Sequence, residues 1–185
     1  STFSFISPKY FDKINLPADS KLRNTVTIMN PLGEDTSVMR TTIIPSVLEV
    51  AGRNYSYRNP ECYVFEVGSE YLPVEGEVLP NEPERLGFAV YDTTTDFDFY
   101  SAKGIVEGLL SKAGAENVEF EKASADCSFD EYSAFHPGRC AVVKVDGKEI
   151  GIFGELHPKT MENYGIEART YAGKINLPEL MEVST

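Results

Sequence analysis

From Arg139 to Leu156 the chain reads RCAVVKVDGKEIGIFGEL, two alternating apolar and polar runs separated by Asp146-Gly147. A two-residue Asp-Gly connection favours the primed turns whose twist matches antiparallel strands. This stretch is therefore expected to be a β-hairpin, and any fold containing it needs an antiparallel sheet. CYVFEVGSEYL supplies a further strand over Cys62 to Val67, interrupted by Gly68, and residues 86–91 (LGFAVY) another. Between them, LPVEGEVLPNEPER has the prolines, glycine and acids of an exposed loop. A strand near residues 117–122 and a last one in TYAGKINL complete the set.

Two helices are expected among these strands. Phe99, Ala102, Ile105, Val106, Leu109 and Leu110 share one helical face, and Gly114 is placed to end that helix. The other helix runs from Asp35 to Asn54, with Glu34 and Asp35 at its start and Thr36 or Ser37 as cap. Val38, Met39, Ile43, Ile44, Val47, Leu48, Ala51 and Tyr55 recur at spacings of three and four, giving it an apolar stripe. Pro45 lacks an amide donor and clashes one turn back, so a kink or a restart is expected there. PKTMENYG forms a short helix with Pro158 in its first turn, and LPELMEV a terminal helical turn. The reading is one α+β domain over residues 1–185, an antiparallel sheet flanked by helices.

A net charge of −12 over 185 residues disfavours a surface that tracks nucleic acid phosphates, because cations must locally outnumber acids to release counterions. Cys62, Cys127 and Cys140 are odd in number and include no Cys-x-x-Cys pair, as expected of a reduced cytoplasmic protein. Neither a secretory leader nor an apolar run long enough to cross a membrane is visible in the sequence, so no membrane partner is expected.

The chain has two histidines, in FHPGR at residues 135–139 and GELHP at residues 154–158, each followed by proline. Two histidines 21 residues apart supply little of the three or four ligands a zinc or iron site needs. No metal is expected. A hydrolase would need a nucleophile beside a base, and no Gly-x-Ser-x-Gly elbow occurs; phosphate-cradling glycine loops are equally lacking. Asp96 with Asp98 and Glu82 with Glu84 sit among polar loop residues and read as solvated surface. Arg40 and Arg53, the positive charges of the first helix, fit either an interface role or ordinary solvation.

The order of NPLGEDTSVMRTTIIPSVLEVAGRN, FEVG, PNEPERLGFAVY, DFYSAKGIVEGLL, FHPGRCAVV, DGKEIGIFGELHP and ENYGI resembles the core of the phenylalanyl-tRNA synthetase β-subunit family from about Phe3 to Leu180. The resemblance implies a class II synthetase-like sheet that has lost its chemistry, so that no catalytic residue is expected. It also implies an α-subunit partner, with tRNA(Phe) met through an αβ heterotetramer. Val38, Met39, Arg40, Ile43, Ile44, Val47, Leu48 and Ala51 are then expected to face that partner. ATP and magnesium belong to the assembled enzyme, and none to this chain. Editing and anticodon-binding modules would lie outside it.

Class II sites hold ATP phosphates with two arginines. With the strand motif's glutamate set on Glu66, Val64 takes the first arginine's place; with the later motif's last glycine set on Gly154, His157 takes the second's. Both clamps are then missing. His136, Pro137, Gly138, Arg139 and Pro158 are expected to be structural turns, FHPGR entering the hairpin and HP leaving it. The alternative from another class is a small-ligand binder or enzyme on a reused scaffold, with His136, Arg139, Glu155 and His157 around one pocket.

Overall fold

A computed structural model describes residues 4–27 and 37–177 of the chain. In chain order the elements are β1 (Phe5–Ile6), α1 (Tyr10–Lys13), β2 (Val38–Met39), α2 (Ile44–Ser56), β3 (Glu61–Ser69), β4 (Glu84–Asp92), α3 (Phe99–Lys112), β5 (Val118–Lys122), β6 (Phe135–Val145), β7 (Lys148–Leu156), α4 (Pro158–Asn163) and β8 (Tyr171–Asn176). Six strands form one antiparallel sheet in the order β3-β4-β8-β7-β6-β5. The expected α+β class is the one observed. The hairpin turns where Asp146-Gly147 placed it, with φ of 51° and 79° at the two residues, the double positive φ of a type I′ connection.

Strand alternation sends successive side chains to opposite faces of the sheet. On one face α2 lays Ile44, Val47, Leu48 and Ala51 against Ala89, Cys140 and Ala172, and the four helical residues are fully buried. At roughly 1.5–3 kcal/mol for each large aliphatic side chain withdrawn from water, this packing anchors the helix. On the other face α3 packs Ala102, Val106 and Leu110 over Phe88, Phe153 and Tyr171. Asp98 starts α3 with a capping box shared with Ser101, and Gly114 follows its end at a φ of +78°.

The helix expected from Asp35 to Asn54 begins later. Val38 and Met39 are strand residues paired with Ile6 and Phe5, and Arg40 donates its amide to the Ser4 carbonyl. Pro45 is the reason: in the interior of a longer helix it would break the ladder, whereas here it lies in the first turn of α2. The proposed starts at Glu34, Asp35 and Thr36 lie outside the described residues, as does LPELMEV beyond Leu177.

A second correction concerns the stripe itself. Val38, Arg40, Ile43, Ile44, Val47, Leu48 and Ala51 are buried in this chain's own core, with Met39 half-buried, so the stripe meets the sheet and exposes no apolar patch to a partner. The solvent side of α2 carries Arg53 and Ser56. Nor does Gly68 interrupt β3, which continues to Ser69. A Cβ there would lie 2.3 Å from Arg40 Nη2, so the glycine makes room for a guanidinium laid across the strand.

Candidate functional site

On the α2 face the register aligns Glu66 of β3, Gly87 of β4 and Lys174 of β8 in one row, with Gly68, Arg85 and Asn176 in the next. The residue types are unexpected for a core: Lys174, Glu70, Arg85, Glu131 and Arg40 are all buried. Charges withdrawn from water must be paired, and these are. Lys174 Nζ lies 3.0 Å from Glu70 Oε2 and also contacts Glu131 Oε2. Arg85 Nε donates to Glu70 Oε1 at 2.9 Å. Glu70 Oε2 also accepts the Ile43 amide at the start of α2 (3.0 Å), and Glu131 Oε2 accepts the Thr42 hydroxyl (2.8 Å). Arg40 gives Nε to the Ser69 carbonyl at 2.8 Å and Nη1 to Ser46 Oγ at 3.3 Å, and it feels the Glu66 charge.

The three cations Arg40, Arg85 and Lys174 thus stand against the three carboxylates Glu66, Glu70 and Glu131. Burial alone would push the Glu131 carboxyl up, but the Lys174 ammonium and its hydrogen bonds outweigh burial and hold it below the ordinary carboxylate range. Burial likewise opposes the Lys174 charge, and Glu131 and Glu70 together raise that pKa above the usual lysine value. A cleft of about 460 Å³ opens over the cluster, lined by the cations Lys21, Arg85, Lys148 and Lys174 and the acids Glu70, Asp130, Glu131 and Glu149. Such a balanced wall does not fit a triphosphate, which needs an excess of positive charge.

The positions compared with a nucleotide clamp fall on the same face. Val64, Ala89, Ala172 and Gly154 form a single register row across β3, β4, β8 and β7. Three strand spacings of ~4.8 Å put Val64 and Gly154 about 14 Å apart. His157 caps α4, its Nδ1 accepting the Lys159 amide at 3.0 Å, and Pro158 occupies the first turn as expected.

FHPGR is a bulge within β6 rather than a turn. Phe135 pairs with Leu156 and Cys140 with Gly154, so His136, Pro137, Gly138 and Arg139 bow out opposite the single residue Glu155. His136 Nδ1 accepts the Gly138 amide at 3.1 Å, which closes the bulge locally. Arg139 Nη1 donates to Glu155 Oε2 at 2.6 Å, and Glu155 Oε1 accepts the Tyr171 hydroxyl at 3.1 Å. Burial and the Glu155 charge push the Tyr171 phenol up to about 12. Of the four residues placed around one ligand in the alternative reading, the structure joins Arg139 with Glu155, while each histidine serves its own backbone. Among the described residues no group of three or more histidine, cysteine or acidic side chains converges on a metal position, and no helix is long and apolar enough to cross a membrane.

The buried cluster escaped the sequence reading. One signal was available: in TYAGKIN, Lys174 occupies the same face of the strand as Ala172, where an inward residue is expected. Glu70, Arg85 and Glu131 lie near strand or turn ends and carry no comparable periodic mark.

The family model of the phenylalanyl tRNA synthetase beta chain CLM domain matches residues 1–177. A phenylalanine-tRNA ligase beta subunit of Clostridium acetobutylicum is 42% identical over 181 residues, covering 97% of this chain and 22% of that protein. A second from Clostridium tetani is 41% identical over 98% of this chain and 22% of its own length. One from Symbiobacterium thermophilum is 34% identical over 98% and 20%. The chain therefore spans about a fifth of the length of these relatives. Among solved structures, the pyrrolysyl-tRNA synthetase of Desulfitobacterium hafniense superposes with a TM-score of 0.74 at 15% identity, over 99% of this chain and 61% of that one, a likeness of fold.

Proposed function

This chain belongs to the phenylalanyl-tRNA synthetase beta chain family, and from that membership we propose that it is a non-catalytic scaffold domain of a cytoplasmic phenylalanine-tRNA ligase, one part of a longer β chain that supports an α subunit in an αβ heterotetramer. ATP, magnesium, phenylalanine activation and the charging of tRNA(Phe) belong, in this reading, to the assembly and to its α subunit.

The observation that supports it is the neutral, internally paired cluster on the α2 face. Adenylyl transfer is accelerated by fixed positive charge around the transition state, and losing one such donor costs ~2.7–4 kcal/mol. Here the guanidinium of Arg85 and the ammonium of Lys174 are bound to carboxylates of the same chain, and that of Arg40 to the Ser69 carbonyl and the Ser46 hydroxyl. At the positions compared with the clamp stand a valine and an imidazole that caps α4.

With the α2 stripe buried, we assign docking to the sheet edge at β3. Its outer face presents Tyr63, Phe65 and Val67, each about half exposed, and its backbone edge is unpaired among the described residues. Light scattering of the purified chain mixed with the α subunit tests this, with full-length β as a control. Co-assembly that Phe65→Glu abolishes is the expected result. No complex while the control binds would count against the docking role, and aminoacyl-adenylate made by the chain alone would overturn the non-catalytic one.

A further inference from the structure

On the α3 face a groove of about 510 Å³ runs between α3 and the β5–β6 pair. Three cations line it, Lys103, Lys122 and Arg139; Arg139 is paired with Glu155 at 2.6 Å and the lining carboxylate Glu121 with Lys144 at 2.9 Å, which leaves Lys103 and Lys122 as the local excess. That local excess lies in a chain of net charge −12 and contrasts with the four-against-four balance of the α2-face cleft. The remaining wall is aromatic. Tyr100 is 75% exposed and stands edge-on to Phe99 at 5.9 Å, while Lys103 Nζ lies 5.0 Å from the centre of the Phe120 ring.

We propose that this groove binds a single strand of RNA, one base stacking on Tyr100 and the phosphates meeting Lys122 and Arg139. A positive groove interleaved with exposed aromatic rings is the chemistry that holds single strands, because every base offers a π-face and every nucleotide a charge. A duplex hides its base faces in its own stack and offers Tyr100 nothing. An acidic peptide would use the cations but leave the rings idle. That the strand is RNA rests on the ligase reading above; the groove by itself selects a single nucleic acid strand.

The inference gives both histidine-proline motifs a task. The bulge closed by His136 carries Gly138 and Arg139 into the groove wall. Glu155 of GELHP holds Arg139 through one guanidinium nitrogen, so the side chain is oriented yet still 47% exposed. Arg139 and Glu155 act here as a positioned pair, built by a bulge that the hairpin alone does not require.

The test is fluorescence anisotropy of a short end-labelled oligouridylate titrated with the full 185-residue chain at low ionic strength, with photo-crosslinking to locate the contact. Expected are salt-sensitive binding and a crosslink at Tyr100. Tyr100→Ala should weaken affinity by roughly five- to 150-fold, the loss of one stacked base. Lys122→Glu should weaken it about tenfold and lower the salt slope by about one. Lys21→Glu, at the α2-face cleft, should leave affinity within about twofold. Tyr100 and Lys122 lie on the surface, so their variants should melt like the parent, which thermal unfolding verifies. Absence of RNA binding, equal affinity for an oligoglutamate peptide, or a Lys21→Glu effect matching that of Lys122→Glu would each overturn the proposal. Assembly with the α subunit is read separately, so either reading can fail while the other stands.

Discussion

The two faces of one sheet are stabilised by opposite means. Under α2 the chain buries six charged side chains and cancels them against one another; under α3 it packs rings, the buried Phe153 covered by Phe99, stacked on it at 5.2 Å, and by Phe120, edge-on to it at 5.8 Å. The charged face has spent its cations internally. The aromatic face spends one, Arg139, on the buried Glu155 and leaves Lys103 and Lys122 at its rim. Net charge therefore describes neither face: a strongly acidic chain carries a neutral interior cluster and a positive groove.

Lys174 and Gly173 are neighbours on β8 that point to opposite faces, so they test the contrast directly. Lys174→Met should have the largest effect, about 3–5 kcal/mol lost in urea unfolding, because Glu70 and Glu131 remain buried without their shared cation. Adding Glu131→Gln should restore part of that loss. A cost near zero would mean that water already compensates these carboxylates, and the contrast between faces would collapse.

Gly173→Ala should cost less, about 1–3 kcal/mol, through overpacking. Its Cβ would come 2.5 Å from Phe88 and 2.7 Å from Phe153, which close over the bare backbone. Because nothing ionisable is touched, the loss should be the same at pH 5 and pH 8; thermal unfolding at both values checks this.

The charged face should also impose its own pH dependence, of smaller amplitude. Glu131 is depressed in the folded chain, so its contribution is present above the unfolded value of about 4.3 and fades as pH falls through the lower folded value. Lys174 is raised, so its contribution is complete below about 10.4 and fades as pH rises through the higher folded value. Melting temperatures of the parent should fall at both extremes. In Lys174→Met the acid limb should flatten, since Glu131 has lost the charge that depresses it.

What could be read beforehand divides along similar lines. The hairpin, α3 and the short helix at Pro158 were legible because local chemistry decides them: a type I′ turn, an apolar face ended by a glycine, a proline in a first turn. The start of α2 was not, because Val38 and Met39 fit the helical spacing, and pairing with Ile6 and Phe5 across more than thirty residues overrides it. The cluster was illegible for the same reason. Glu70 and Lys174 are 104 residues apart, and only the sheet order brings them to one point. Arg40 read equally as an interface or a solvated cation, and its burial depended on Gly68, read as a break when it is an opening.

The smallest effect is expected where the family comparison would look first. Val64→Arg returns a guanidinium to the strand position compared with the clamp, and calorimetry with ATP should still register no saturable heat. Glu66, two residues along the same face of β3, is the nearest carboxylate on that strand and would take the new charge. Gly154 lies three strands away in the same row, with Ala89 and Ala172 between, so a single restored arginine has no second cation across from it. The cluster beyond is already neutral. Micromolar saturation by ATP in this variant would show instead that one charge separates this face from a working nucleotide site, and that the ion pairs under α2 open to admit a phosphate.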